Sequence, residues 1–77
     1  MDILLDTHSL IWFSEGNSEL PENAITYIKS LNNNIFVSIA SLWEIAIKLN
    51  IGKLFLTKPF DKFIQELELY NFEILPI

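Results

Sequence analysis

The sequence predicts an α/β protein whose parallel sheet is built from strands that alternate with pairs of helices. Three short apolar runs, at residues 3–5, 35–37 and 70–77, have the character of strands, and helical segments separate them. The resulting order is β-α-α-β-α-α-β, and strands that alternate with helices favour parallel pairing. At 77 residues the chain allows a single domain.

The first half of this order starts with an apolar run, residues 3–5, that suits a strand buried on both faces. Residues 9–15 can form a short helix, which Gly16 and Asn17 end. A second helix follows Pro21, because proline is tolerated at a first helical position. Residues 35–37 are rich in β-forming side chains and give the second strand.

The second half starts with a helix over residues 38–49 that either Ser38 or Ser41 could open, since Ser41 and Glu44 have capping-box spacing. This helix is apolar nearly all round, so we expect deep packing. Gly52 is placed to cap its carboxyl end. Pro59 precedes a fourth helix with a clear apolar face, and residues 70–77 alternate as a third strand.

The apolar content is high for a chain of this size. Hydrophobic residues make up 51% of it and the mean hydropathy is +0.33, which is more apolar surface than a small globule readily buries. Either a partner covers this surface or the chain is part of a larger fold. We therefore expect the first strand to be an exposed edge beside a large apolar patch.

Several classes of protein are disfavoured by composition. The chain has no cysteine, which excludes disulfides and thiolate metal sites. No apolar stretch is long enough for a membrane helix, and the amino terminus has no basic segment typical of a signal peptide, so we expect a cytoplasmic protein. Ten acidic residues face five lysines, and the net charge of −5 opposes general binding to nucleic acid.

Two carboxylates are placed to share a site. Asp6 ends the first strand and Glu44 lies in the helix that follows the second strand. Ligands of open parallel sheets bind beyond the carboxyl ends of the strands, so both side chains can point into one crevice. Hard oxygen ligands suit Mg²⁺ or Mn²⁺. Structural roles are open as well: Asp6 could cap the first helix, and Glu44 could close the capping box with Ser41 or pair with Lys48.

Other side chains have weaker claims to a function. His8 is more typical of a polar residue at a helix start than of a catalytic base. Trp12 and Trp43 could stack on bases, but their apolar surroundings favour core packing. Lys53 and Lys58 flank an apolar segment and could touch phosphate, although two lysines make a weak basic patch.

The whole pattern resembles the PIN domains, most closely the VapC-type toxins. Residues 3–8, with the sequence I-L-L-D-T-H, resemble the opening of that family. Residues 37–48, V-S-I-A-S-L-W-E-I-A-I-K, resemble its second motif, and G-K-L at 52–54 continues it. Residues 72–77 resemble the segment before the family's central helices. The long second motif is the specific part of the likeness.

The resemblance implies a metal-dependent ribonuclease with clustered carboxylates. Asp6 matches the first acid, Glu44 matches the second, and Thr7 matches a residue that supports the site. The family's other acids lie farther towards the carboxyl end, near a D-P-F-D-R-like segment, and its sheet order resembles 3-2-1-4-5. We therefore expect residues 1–77 to be the amino-terminal part of one truncated, PIN-like three-layer domain, with the C-terminal strands missing. Four further acids do not match the missing motifs: Asp61, Glu66, Glu68 and Glu73.

Three functional hypotheses follow. The first is a VapC-type toxin, a Mg²⁺- or Mn²⁺-dependent endoribonuclease with an RNA substrate and an antitoxin partner, here inactive alone because acids are missing. A homodimeric state is left open. The second is a non-catalytic interaction remnant that binds an antitoxin-like helix or a separately encoded second half. The third is a broken reading frame without a selected function.

Overall fold

The computed structural model describes residues 1–76 and confirms the predicted α/β fold with a parallel sheet. The order of elements within these residues is the predicted β-α-α-β-α-α-β. The elements are β1 (Asp2–Leu5), α1 (Thr7–Glu15), α2 (Glu22–Lys29), β2 (Asn34–Ser38), α3 (Ile39–Asn50), α4 (Phe60–Leu69) and β3 (Glu73–Leu75).

The three strands lie in the order β1-β2-β3, with every neighbouring pair parallel. Leu5 of β1 is in register with Val37 of β2, and Val37 is in register with Ile74 of β3. Within residues 1–76, β1 pairs with β2 alone, so the prediction that the first strand is an edge is confirmed. The expectation that this strand is buried on both faces is wrong, because Leu4 is 63% exposed whereas Leu5 is buried.

Local chemistry explains where the first two helices begin and end. The Asp6 carboxylate accepts a hydrogen bond from the backbone N–H of Ser9 at 2.7 Å, so α1 begins two residues before the predicted start. It ends at Gly16, whose φ of 63° is left-handed and favours glycine. Helix α2 begins directly after Pro21, as predicted, and α4 begins directly after Pro59.

Helix α3 begins at the earlier of its two candidate caps. The Ser38 Oγ accepts a hydrogen bond from the backbone N–H of Ala40 at 3.1 Å, which excludes the capping box between Ser41 and Glu44 because both residues lie inside the helix. Gly52 follows the end of α3 with a φ of 75°, so the predicted glycine at this carboxyl end is confirmed.

Helix α3 is less deeply packed than predicted. Its buried side chains are Leu42 and Ile45, whereas Trp43 and Ile47 are 55% and 60% exposed. The helix is apolar nearly all round, but the described part of the chain covers only one of its faces. None of the described helices combines the length and the apolar character that a membrane span requires.

Strand β3 is shorter than the predicted strand over residues 70–77. Tyr70 closes α4 with its backbone N–H bonded to that helix, and Asn71 adopts a left-handed φ of 59°. The chain can extend only after this turn, so the strand begins at Glu73. Ile77, the last residue of the predicted strand, lies outside the described residues.

A single hydrophobic core joins one face of the sheet to the helices. The side chains of β1 and β2 that face it are Leu5, Ile35 and Val37, and the helices contribute buried leucine, isoleucine and phenylalanine side chains. This core fixes the carboxyl ends of β1 and β2, where the predicted site residues lie. The buried members are Leu5, Leu10, Leu20, Ile28, Ile35, Val37, Leu42, Ile45, Phe63, Leu67 and Phe72.

Candidate metal and active site

Asp6 lies immediately after β1 and is the N-cap of α1. The backbone N–H of Ser9, helped by the Ser9 hydroxyl and by nearby His8, holds the pKa of the Asp6 carboxyl below its usual value of 3.8. A depressed pKa means that the side chain is ionised at neutral pH. The side chain is exposed, so capping the helix does not shield the carboxylate from a ligand.

Glu44 lies in α3 and its side chain meets residues from two elements. Its Oε1 accepts a hydrogen bond from the Thr7 hydroxyl at 3.5 Å, and its Oε2 lies 3.3 Å from the Lys48 ammonium. The first distance is long for an O–H···O bond, so it indicates proximity more than strength. The pairing with Lys48 is one of the alternatives left open by the sequence. Glu44 is about half exposed, which leaves the carboxylate reachable from solvent.

The two predicted carboxylates lie at the same end of the sheet, beyond the carboxyl ends of its strands. Leu5 and Val37 are partners in adjacent parallel strands, so Asp6 and Ser38 both follow the carboxyl ends of those strands. The contact between Thr7 and Glu44 then brings the α3 carboxylate beside the residue that follows Asp6. Parallel sheets bind ligands at this carboxyl end of their strands. The catalytic roles of Asp6 and Glu44 stay predictions.

The donor set at this edge is compatible with a hard divalent cation. Asp6 and Glu44 offer carboxylate oxygens, and Thr7 offers a hydroxyl beside them. Mg²⁺ commonly takes one or two protein carboxylates and keeps several waters. Within residues 1–76, no group of three or more His, Cys, Asp or Glu side chains could hold a metal ion. These residues therefore fit a partial ligand set for Mg²⁺ or Mn²⁺ and do not enclose the ion.

The surface next to Glu44 contains residues whose placement the sequence did not reveal. Trp43 is 55% exposed, so the prediction that it packs in the core is wrong; Trp12, by contrast, is partly buried and packs against the core. Lys53 is exposed and lines the same shallow depression as Glu44 and Lys48. The depression is lined by Ala40, Trp43, Glu44, Ile47, Lys48, Ile51 and Lys53.

Lys58 is committed to a structural role. Its ammonium donates to the backbone oxygen of Ser14 at 2.8 Å and to the Ser14 hydroxyl at 3.1 Å, and it pairs with Glu66 at 2.7 Å. Three partners on a side chain that is only 24% exposed leave little capacity for a phosphate. Of the two lysines considered for phosphate contact, Lys53 is the one on the Glu44 surface. His8 lies in the first turn of α1 and is exposed, as expected of a polar residue at a helix start.

A second depression, of about 270 Å³, lies at the opposite end of the sheet. It is lined by the end of α2, the start of β2 and residues around the start of β3, and it contains none of the predicted site residues. It is more enclosed than the depression beside Glu44. Parallel sheets do not place their ligand sites at the amino ends of their strands. The carboxyl end, where Asp6 and Glu44 lie, is therefore the better candidate for a ligand site.

Comparison with known proteins agrees with this reading of the fold. A family model described as PIN domain matches residues 3–77, nearly the whole chain. No protein with a curated description and no solved structure matches the chain significantly. PIN domains are in general nucleases that depend on divalent metal ions, so the match supports a nuclease-type function with a nucleic-acid substrate. The chain belongs to the PIN domain family.

Proposed function

We propose that residues 1–77 form the amino-terminal part of a VapC-type endoribonuclease, in which Asp6 and Glu44 bind Mg²⁺ or Mn²⁺. The observation that carries this proposal is the 3.5 Å contact between the Thr7 hydroxyl and the Glu44 carboxylate. It brings together the two sequence motifs that resemble the family's acidic motifs. The PIN domain match over residues 3–77 supports the same assignment.

Each residue of this site has a distinct task. Asp6 supplies an ionised carboxylate at the end of a strand, with its direction fixed by the hydrogen bond from Ser9. Glu44 supplies the second carboxylate, and Thr7 restricts its orientation through Oε1. When bound, the divalent cation would supply a polarised phosphoryl oxygen and an activated water for phosphodiester hydrolysis.

Recognition of RNA has to overcome the charge of the chain. The net charge of −5 repels a polyanion, so a cation held by Asp6 and Glu44 would offset part of that repulsion. Lys53 is the exposed lysine on the depression beside Glu44, and we assign it a contact with an RNA phosphate. We place this activity in the cytoplasm, under the control of an antitoxin protein, with a homodimer as the proposed assembly.

A second candidate function is a non-catalytic interaction role. It is favoured by the exposed apolar side chains at Trp43, Ile47 and Ile51, which recur at every fourth position along α3 and just beyond its end. Residues four apart lie on one face of a helix, so these side chains form one stripe. Such a stripe could receive an antitoxin-like helix or a separately encoded second half of the domain.

The experiment that tests the primary proposal is a titration with Mn²⁺, followed through the amide NMR signals of the chain. Paramagnetic broadening should appear first at residues 5–8 and 43–45. Asp6→Asn and Glu44→Gln should each weaken that response. Asp61→Asn is the matched control, because it removes the same charge from an exposed acid in the first turn of α4.

The outcomes separate the two candidates. Local broadening that both site variants weaken and Asp61→Asn preserves would support the metal site. Broadening spread evenly over all exposed acids, or unchanged by Asp6→Asn, would overturn the site assignment. The interaction role would then be the better account of the chain, because it requires the α3 stripe and does not require a metal ion.

A further inference from the structure

Both oxygens of the Glu44 carboxylate have partners in the structure. Thr7 donates to Oε1, and the Lys48 ammonium lies 3.3 Å from Oε2. Lys48 is four residues after Glu44 in α3, so the two side chains occupy the same helix face. The carboxylate proposed to hold a divalent cation is thus already paired with a cation that belongs to the chain.

We infer that Lys48 is an internal competitor for the divalent cation and lowers the affinity of the site. This inference rests on the proposed function, because it takes Glu44 to be a metal ligand. The chain would then exist in two arrangements, one with Glu44 paired to Lys48 and one with Glu44 turned to the metal. Lys48 acts through Glu44, so it is a positioning residue.

Two opposing effects decide whether removing Lys48 raises or lowers the affinity of the site for the divalent cation. Lys48 helps to orient Glu44, and losing that help would weaken metal binding. The ion pair is about half exposed at both ends, however, and exposed pairs within one helix are weak. Against this stands the repulsion between the ammonium and a doubly charged cation on the same carboxylate. At a given distance this repulsion is larger than the interaction between two single charges. Repulsion therefore outweighs orientation.

The surroundings of Lys48 allow it to leave Glu44. Its side chain is 44% exposed and ends a flexible four-carbon stem, so the ammonium can move into water without breaking the core. It lies on the same depression as Lys53, whose lining also includes apolar side chains such as Trp43 and Ile47. No buried polar atom would be stranded by the movement, since Oε2 of Glu44 faces a partly exposed surface.

The test is the Mn²⁺ dissociation constant of the folded 77-residue chain, measured from the free-ion electron spin resonance signal at low salt. Lys48→Met keeps most of the stem and removes the charge, and it should tighten Mn²⁺ binding about three- to tenfold. Lys29→Met is the matched control, because it removes the same charge from the last turn of α2, at the opposite end of the sheet. In a Glu44→Gln background, Lys48→Met should change the affinity for Mn²⁺ by no more than Lys29→Met does.

Each outcome bears on the inference separately from the proposed function. Tighter binding in Lys48→Met alone supports it, and so does binding that appears only when Lys48 is replaced. Binding by the wild type that Lys48→Met leaves unchanged or weakens would overturn the inference and leave the metal site standing. No binding by the wild type or by Lys48→Met would overturn both. Circular dichroism of each variant checks that the comparison is made between folded chains.

Discussion

Thr7 and Glu44 are separated by 37 positions in the sequence, and their side chains meet at 3.5 Å. The contact joins the start of α1 to the middle of α3 across the carboxyl ends of two neighbouring strands. It is partly buried, and it is the only direct link between the two motif regions that the side-chain hydrogen bonds of residues 1–76 contain. Its loss should therefore affect metal binding at the site more than the stability of the fold.

Replacement of Thr7 by valine should test this link. Valine keeps the branched shape and removes the hydroxyl, so we expect Mn²⁺ binding to weaken about twofold to fivefold, the loss of one weak hydrogen bond. The free energy of unfolding should fall by less than about 1 kcal/mol, since the bond is long. Thr7→Ser, which retains the hydroxyl, should bind Mn²⁺ like the wild type. Equal loss in both variants would point to packing instead.

The N-cap role of Asp6 can be separated from its charge. Asn is as good an N-cap as Asp, so Asp6→Asn should keep α1 intact, whereas Asp6→Ala should lower the free energy of unfolding by about 1 kcal/mol. Both variants lose the proposed metal ligand. Urea unfolding at neutral pH measures the first effect and Mn²⁺ binding measures the second. A similar loss of stability in the two variants would contradict the capping role.

The pH dependence of stability should carry the signature of the Asp6 carboxylate. Its pKa is lower in the folded chain than its usual value of 3.8, so the folded state favours the ionised form. The stabilisation is complete at pH values above the unfolded pKa and is lost as the pH falls through the lower folded pKa. We expect the urea midpoint of the wild type, relative to Asp6→Asn, to decline below about pH 4. A constant difference from neutral pH down to acid would refute this.

Exposure along α3 predicts unequal costs for neighbouring isoleucines. Ile45 is fully buried, so Ile45→Ala should cost about 2–5 kcal/mol and Ile45→Val about 0.5–1.5 kcal/mol. Ile47 is 60% exposed, and Ile47→Ala should change the free energy of unfolding by less than about 0.5 kcal/mol. Urea unfolding of the valine and alanine variants provides the measurement. A large cost at Ile47 would show that this face of α3 is covered in solution.

The helix boundaries set by proline and glycine were predictable because the responsible chemistry is local. Pro21, Pro59 and Gly16 each act through their own backbone geometry, and the structure starts or ends a helix beside each of them. The edge position of β1 was also predictable, from an excess of apolar residues and from the strand order of the family. Asp6 was expected at the end of a strand, and that placement required only the apolar run before it.

The remaining features could not be predicted because they depend on tertiary contacts that local sequence patterns do not contain. The S-x-x-E spacing of Ser41 and Glu44 fits a capping box or a helix interior equally well, and only the bond from Ser38 decides between them. An apolar helix such as α3 does not reveal which of its faces is covered, so the exposure of Trp43 could not be predicted. The late start of β3 depends on the left-handed turn at Asn71, which hydrophobic alternation does not signal.

The activity of the 77-residue chain provides the last prediction. We expect it to cleave RNA no faster than its own Asp6→Asn variant. Catalysis requires an ion that is held firmly, a water that is aimed and stabilised charge on the phosphoryl group. Residues 1–76 bring no third His, Cys, Asp or Glu side chain to the proposed pair, and Lys48 already competes for one carboxylate by the inference above.

The assay is a fluorescent RNA substrate with Mg²⁺ or Mn²⁺, in which the wild type is compared with Asp6→Asn and Glu44→Gln. Asp61→Asn serves as the charge-matched control. Background cleavage should be equal in all four chains, because two carboxylates bind the ion loosely while it keeps most of its waters. Metal-dependent cleavage by the wild type and by Asp61→Asn, lost in both site variants, would mean that two acids suffice. In that case the Thr7 contact would position a complete catalytic site, and Thr7→Val should lower the cleavage rate as well.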